Sequence, residues 1–201
     1  MLAISPKIGE VYANVTNVLH LDGSNSDELT IAEIETRKQV PKTINFFRKY
    51  IPGFENCCLI QTATQVGVRE SRRIIGEYIL TKEDVVNGVK YKDTIARGAY
   101  PIDIHGTDGG VLHIPVKDGS DYGIPYRCLI PKSLNNVLVV GRAISSDRFA
   151  FGSIRVIAQC MAIGQAGGVA AGLCVQNTIE NTRNLNINLL KNKLIEQDAY
   201  I

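Results

Sequence analysis

Tryptophan is absent from the 201 residues, and histidine occurs only at positions 20, 105 and 113. Three histidines so far apart do not make a zinc pattern, since zinc sites draw ligands from closely spaced pairs. Charge of one sign is lacking too: 22 Lys and Arg face 20 Asp and Glu, for a net +2. That balance gives no reason to invoke nucleic acid or an anionic membrane surface. No uninterrupted apolar run approaches the roughly 20 residues that cross a bilayer, so no membrane span is expected. The opening stretch MLAISPKIGEVYANV lacks a basic region followed by an apolar core, so it does not read as a signal peptide. The five cysteines, 57, 58, 128, 160 and 174, are odd in number, scattered, and contain no C-x-x-C. Such usage suggests a reducing compartment and a cytoplasmic location. With 45% hydrophobic and 21% charged residues, the composition is that of an ordinary globular chain of one domain or two small ones.

What the sequence does contain is concentrated between Leu134 and Val175. The apolar run Val137 to Val140 reads as a buried strand, followed by a sharp turn at Gly141-Arg142, a polar loop, and a helix opening at Gly152-Ser153. Small residues run along that helix: Ala158, Ala162, Gly164, Ala166, Gly167, Gly168, Ala170, Ala171 and Gly172. Each glycine costs up to about 1 kcal/mol against alanine in a helix. So many are tolerable if a sheet, another helix or a flat cofactor must approach the backbone closely. A strand delivered to a helix N-terminus is also an anion site, because unpaired N–H groups and the helix dipole point there.

The rest of the chain supplies strands and three further helices. Residues 9 to 19 alternate apolar and polar, as in a half-buried strand. A helix is expected from Thr30, whose spacing to Glu33 fits a capping box, with a kink at Pro41 and an end at Ile51-Pro52-Gly53. Strands are expected over 57 to 66, 73 to 80, 93 to 105 (broken at Gly98 and Pro101), 111 to 117 and 122 to 131, with Thr81 capping a short helix. Ile187, Leu190, Leu194 and Ile195 close the chain as a surface helix. Arg69, Arg72 and Arg73 sit with Glu70 between two strands. This cluster is either a solvated charge group or a clamp for an anion, because arginine presents a planar fork of donors. His105 ends a strand before the loop GTDGG; Tyr126 and Arg127 are expected on opposite faces of theirs. The pattern is α+β: antiparallel strands and one long helix, then a strand-to-helix unit that lacks the parallel neighbours of a complete nucleotide-binding sheet.

Four stretches in order, GVRESRRIIGEYILTKEDV, ARGAYPIDIHG, YGIPYRCLIPKSLNNVLVVGRAIS and GSIRVIAQCMAIGQAGGVAAG, resemble the C-terminal half of a bacterial family of FAD-dependent oxidoreductases. NVTNVLHLDG and RKYIPGFEN resemble it as well, so the likeness covers nearly the whole chain. That family combines a glutathione-reductase-like flavin domain with an inserted substrate domain. Members are sometimes labelled xanthan lyase and are grouped with the flavin subunit of heterodisulfide reductase. The cysteine spacing here does not support an iron–sulfur cluster. The G-x-G-x-x-G turn that holds the FAD pyrophosphate is not found in these residues. The expectation is therefore a C-terminal piece: residues 1–130 as a portion of the substrate domain and 131–201 as the last strand and helix of the FAD domain.

The resemblance implies roles. Gly141 and Arg142 would lie beside the ribityl chain or pyrophosphate. The helix opening, Gly152, Ser153, Ile154, Arg155 and Val156, would face the pyrimidine end of the flavin, where its dipole would stabilise the anionic reduced ring. Arg69, Arg72, Arg73 and Arg127 would fix a substrate carboxylate, and His105 or Tyr126 would carry the proton that accompanies hydride transfer. Two other readings stand beside the oxidoreductase. One is a non-catalytic or partner-binding subunit, joined to a complementary FAD-domain chain or to itself, holding FAD weakly or not at all when alone. The other is a polysaccharide lyase, from the family label alone; with aromatics at 6% the chain offers no obvious sugar platform.

Overall fold

A computed structural model describes residues 2–106 and 110–201; the side chain of His105 and most of the loop expected at 106 to 110 lie outside the described residues. The fold is α+β, with small antiparallel sheets and one long helix. Two compact units divide it, residues 1–71 and 72–201.

The first unit is built on α1 (Ser26–Tyr50). Asn25 caps its start, its side chain accepting from the amides of Asp27 and Glu28, so the helix begins before the expected Thr30. Thr30 is interior and bonds back to the Ser26 carbonyl. Glu33 is drawn instead to the Val66 amide and to Arg37, so no capping box forms there. Pro41 does not break the helix, which runs on to a cap at Ile51, with Gly53 at φ +87° turning the chain away. A proline removes only its own N–H bond when the turns on either side hold. Of the strand expected over 9 to 19, only β2 (Val11–Ala13) forms, paired antiparallel with β1 (Leu2–Ile4). Residues 57 to 66 are extended but form no ladder. Their carbonyls are taken by α1 instead: Arg48 donates to Cys57, and Arg37 to Ala63 and Thr64.

The second unit holds the core. Thr81 caps α2 (Lys82–Val86) as expected, and Asp84 reaches back to complete a capping box. β3 (Thr94–Gly98) pairs with β6 (Tyr122–Pro125), and β4 (Ile102–His105) pairs with β5 (Val111–Ile114), all antiparallel. Residues 73 to 80 form isolated bridges, Gly76 to Pro131 and Leu80 to Ser146, rather than a strand. β6 stops at Pro125, and residues Tyr126–Leu129 coil into one 3-10 turn. The core of Leu80, Ile95, Ile102, Tyr122, Leu129, Ile144, Ile154, Ile163, Leu190 and Leu194 draws on residues from both sides of position 130.

Two expectations for the strand-to-helix unit are corrected. Residues 137 to 140 are extended but form no strand; their backbone contact is the Val139 amide to the Leu129 carbonyl, 2.9 Å. A ladder needs a partner strand, and none pairs with this segment among the described residues. The helix does not open at Gly152. Asp147 caps an earlier helix, α3 (Arg148–Ile154), by accepting from the Ala150 amide at 2.7 Å. The chain then breaks at Arg155 and Val156, and α4 (Ile157–Gln176) begins. α5 (Ile187–Ile195) closes the unit, burying Leu190 and Leu194.

α4 carries no charged residue, and its mean hydropathy of 1.4 makes it long and apolar enough to cross a membrane by length and composition. Glutamines and glycines interrupt its apolar residues, which is why no continuous run marks it in the sequence. Here it packs Ile163, Ala166, Ala170 and Leu173 into the core.

Candidate functional site

The extended segment 137–140 ends in a one-turn 3-10 helix, Gly141–Ala143, entered at Gly141 with φ +69°. Such a conformation is open to glycine at little cost, so the turn is written into the sequence. α4 packs against this turn. The arginine of the turn, Arg142, is exposed. Its charge is felt by Cys160 in the first turn of α4: burial raises that thiol, and Arg142 partly offsets it. The segment meets α4 where Val140 lies against the backbone of Gly167 with no room for a side chain. Gly164, Gly168 and Gly172 face open space. Close approach therefore accounts for one glycine of the small-residue row and not for the others.

The uncapped helix start is that of α4. Val156 is extended at the N-cap position, no side chain caps the helix, and its first turn contains no acid. The leading amides of an α-helix have no partner inside it, and the dipole gives that end a positive character. These donors belong to Ile157, Ala158 and Gln159, one turn beyond the expected set. The expected residues Gly152, Ser153 and Ile154 are buried inside α3. Gly152 lets α3 lie on β4, because a Cβ there would meet Ile104 at 3.0 Å and the Asp103 carbonyl at 3.1 Å. The Ser153 hydroxyl bonds to the Tyr122 hydroxyl and to the Tyr100 carbonyl. Arg155 reaches back to the Asp103 carboxylate at 3.2 Å, in an ion pair largely shielded from water.

Within the second unit, Arg73 and Arg127 are engaged in separate contacts. Arg69 belongs to the first unit and is exposed; Arg72 and Arg73 belong to the second. Arg73 donates to the Ser146 carbonyl and stacks 4.8 Å from the Phe151 ring. Arg127 is exposed and bidentate to Asp93 at 2.8 and 3.2 Å, lying over the rings of Tyr78 and Tyr91. Those two hydroxyls converge on Asp84, which also serves as the α2 capping acid. Tyr126 is buried, and its hydroxyl donates to the Thr182 carbonyl at 3.0 Å. Burial pushes its ionisation well above the ordinary range. The backbone of His105 ends β4, and its side chain lies outside the described residues.

Sequence reasoning missed a cleft of about 480 Å³ beside the start of α4, lined by Arg97, Tyr100, Pro101, Val156, Ala158 and Gln159, with Ala99. The signal that would have found it is Asp147. A strong N-cap residue so placed starts a helix before Gly152, and that moves the next helix start to Ile157. Among the described residues no three His, Cys, Asp or Glu side chains gather as a metal group.

No curated protein and no solved structure matches the chain. A family model described as FAD dependent oxidoreductase matches residues 5–194. That match takes in α1, the β3–β6 core, the Gly141 turn and α4, and so the chain belongs to the FAD dependent oxidoreductase family.

Proposed function

We propose that this chain supplies the flavin-facing turn and helix of an FAD-dependent oxidoreductase that passes a hydride between a small molecule and FAD. The observation that carries this reading is the uncapped, acid-free start of α4 lying beside the Gly141–Ala143 turn. These residues suit an electron-rich ring edge and a phosphate: helix amides donate, Arg142 adds positive charge, and no carboxylate of the first turn competes. Gly141, Arg142, Val156, Ile157 and Ala158 would hold the cofactor. Bound FAD would supply the hydride-accepting ring. Of the two proton carriers expected, Tyr126 is committed to the Thr182 carbonyl, which leaves His105 at the end of β4.

A second reading is favoured by a separate observation. The extended segment 137–140 borders a groove of about 600 Å³, floored by Gly164, Gly167, Gly168 and Ala171 of α4. Its edge, along which Val137 and Val140 stay partly exposed, invites strand addition by another chain. On this reading the chain is a partner-binding subunit that holds FAD only with a complementary FAD-domain chain.

The visible spectrum separates the two. If the chain is sufficient, titrating it with FAD will shift and sharpen the flavin band, and Arg142→Glu will weaken the effect. If the chain needs a partner, the band will be that of free FAD until a chain carrying the pyrophosphate-binding turn is added. A free-FAD band in both cases removes the flavin reading.

A further inference from the structure

Two residues that line the cleft at the start of α4 each carry a buried polar atom with no partner. Gln159 is only 6% exposed, and its amide oxygen accepts no hydrogen bond. The Nε of Arg97 is equally shut away from solvent and donates to nothing. Both side chains line the same cleft. A buried donor and a buried acceptor left unmatched oppose folding, and an incoming molecule that completes both would relieve that cost. Their surroundings define what that molecule carries. Arg97 is fixed from behind: its Nη1 reaches Asp121 and the Tyr200 hydroxyl, each at 3.4 Å, and its guanidinium stacks on the Tyr200 ring at 4.8 Å. Asp121 also meets Lys90 at 3.1 Å, so one carboxylate faces two cations and a net positive charge remains. The uncapped start of α4 adds to it. The cleft therefore calls for an anionic oxygen, and the Gln159 oxygen calls for a donor beside it.

We propose that this cleft binds a small carboxylate carrying a hydroxyl or amino group on the adjacent carbon, the carboxylate meeting Arg97 and the donor meeting the amide oxygen of Gln159. Calling that molecule the substrate class rests on the oxidoreductase reading; the binding site itself does not. Arg97 and Gln159 replace the four arginines expected from sequence as the groups that select the ligand. A cleft of about 480 Å³ accepts such a molecule with room to spare.

Three probes of nearly one size test this on the full chain without FAD: lactate, propionate, which lacks the hydroxyl, and lactamide, which lacks the charge. Binding is read from amide chemical shifts of Ile157, Ala158 and Gln159 in NMR titrations. Lactate should bind roughly tenfold more tightly than lactamide and several-fold more tightly than propionate. Gln159→Leu should erase the preference over propionate and keep that over lactamide; Arg97→Gln should do the reverse. Gln159→Glu, which keeps the shape but adds a negative charge, should abolish lactate binding. Equal response to all three probes, or no shift at those amides, overturns the proposal. None of these results depends on whether the chain takes up FAD, which the visible spectrum reports separately.

Discussion

Gly167 and Gly168 are neighbours in α4 with opposite expectations. A Cβ on Gly167 collides with Val140, whereas one on Gly168 meets nothing within 4 Å. Gly167→Ala should therefore destabilise the chain by about 1–3 kcal/mol, as overpacking does. Gly168→Ala should be neutral or stabilise by up to about 1 kcal/mol, through helix propensity. Urea unfolding of the two variants checks both signs. The sequence announced the whole row of small residues but not which one is in contact, because a glycine carries no mark of what lies opposite it. Asp84 gives a pH-dependent case. Burial raises its pKa, but the Tyr91 hydroxyl, the Thr81 backbone and the Tyr78 hydroxyl outweigh it and hold the carboxyl below its ordinary 3.8. A depressed carboxylate adds stability that is full above the unfolded value and is lost as pH falls through the folded one. Asp84→Asn should thus cost about 1–3 kcal/mol at neutral pH. The gap to the parent protein should narrow as the pH drops below about 4. A gap that stays constant with pH would mean that the charge of Asp84 does not matter.

The elements that were legible are those with strong local punctuation. Thr81 with Asp84, Pro101 between β3 and β4, and Gly53 after α1 all mark ends that the structure keeps. The elements that were not legible depend on partners distant in sequence. Residues 57 to 66 and 137 to 140 have β-forming composition, but a ladder needs a second strand, and α1 or a single carbonyl takes their backbone instead. Asp147 is decisive, and the expectation of a helix opening at Gly152 passed over it. It caps α3 and also accepts from the Lys82 amide at 2.8 Å, so one carboxylate ties the starts of α2 and α3. Asp147→Ala should cost about 1–2 kcal/mol in urea unfolding, toward the upper end for a cap. Pro41 points the other way. Because α1 passes through it unbroken, Pro41→Ala should restore a helical bond and raise the far-UV helical signal of α1 on heating. The gain is bounded by the roughly 3 kcal/mol that an interior proline costs.

Across the whole molecule, burial is uneven. The continuous core lies among residues 80–194, while α1 buries only Ala32 and Thr36. Amides of α1 should accordingly exchange with deuterium well before those of β3, β6 and the middle of α4. Equal protection in both units would contradict this. Ile4, Ile8, Ile60 and Ile75 are among the large apolar side chains left on the surface. The family was legible from the sequence because most of its motifs lie in the second unit, many at turns and helix starts where backbone geometry restricts residue choice. The cleft was not, because Arg97 and Gln159 are 62 residues apart and meet only when α4 lies along β3. The contact of Val140 with Gly167 has a reach of this kind. It lies ten residues into α4 and touches no proposed ligand. Yet it acts as the peg that sets how far the helix can slide and roll beneath the segment that carries Gly141 and Arg142. A bulkier side chain at position 167 would act as a shim: it would leave every site residue in place along the chain while changing the gap between the turn and the helix start.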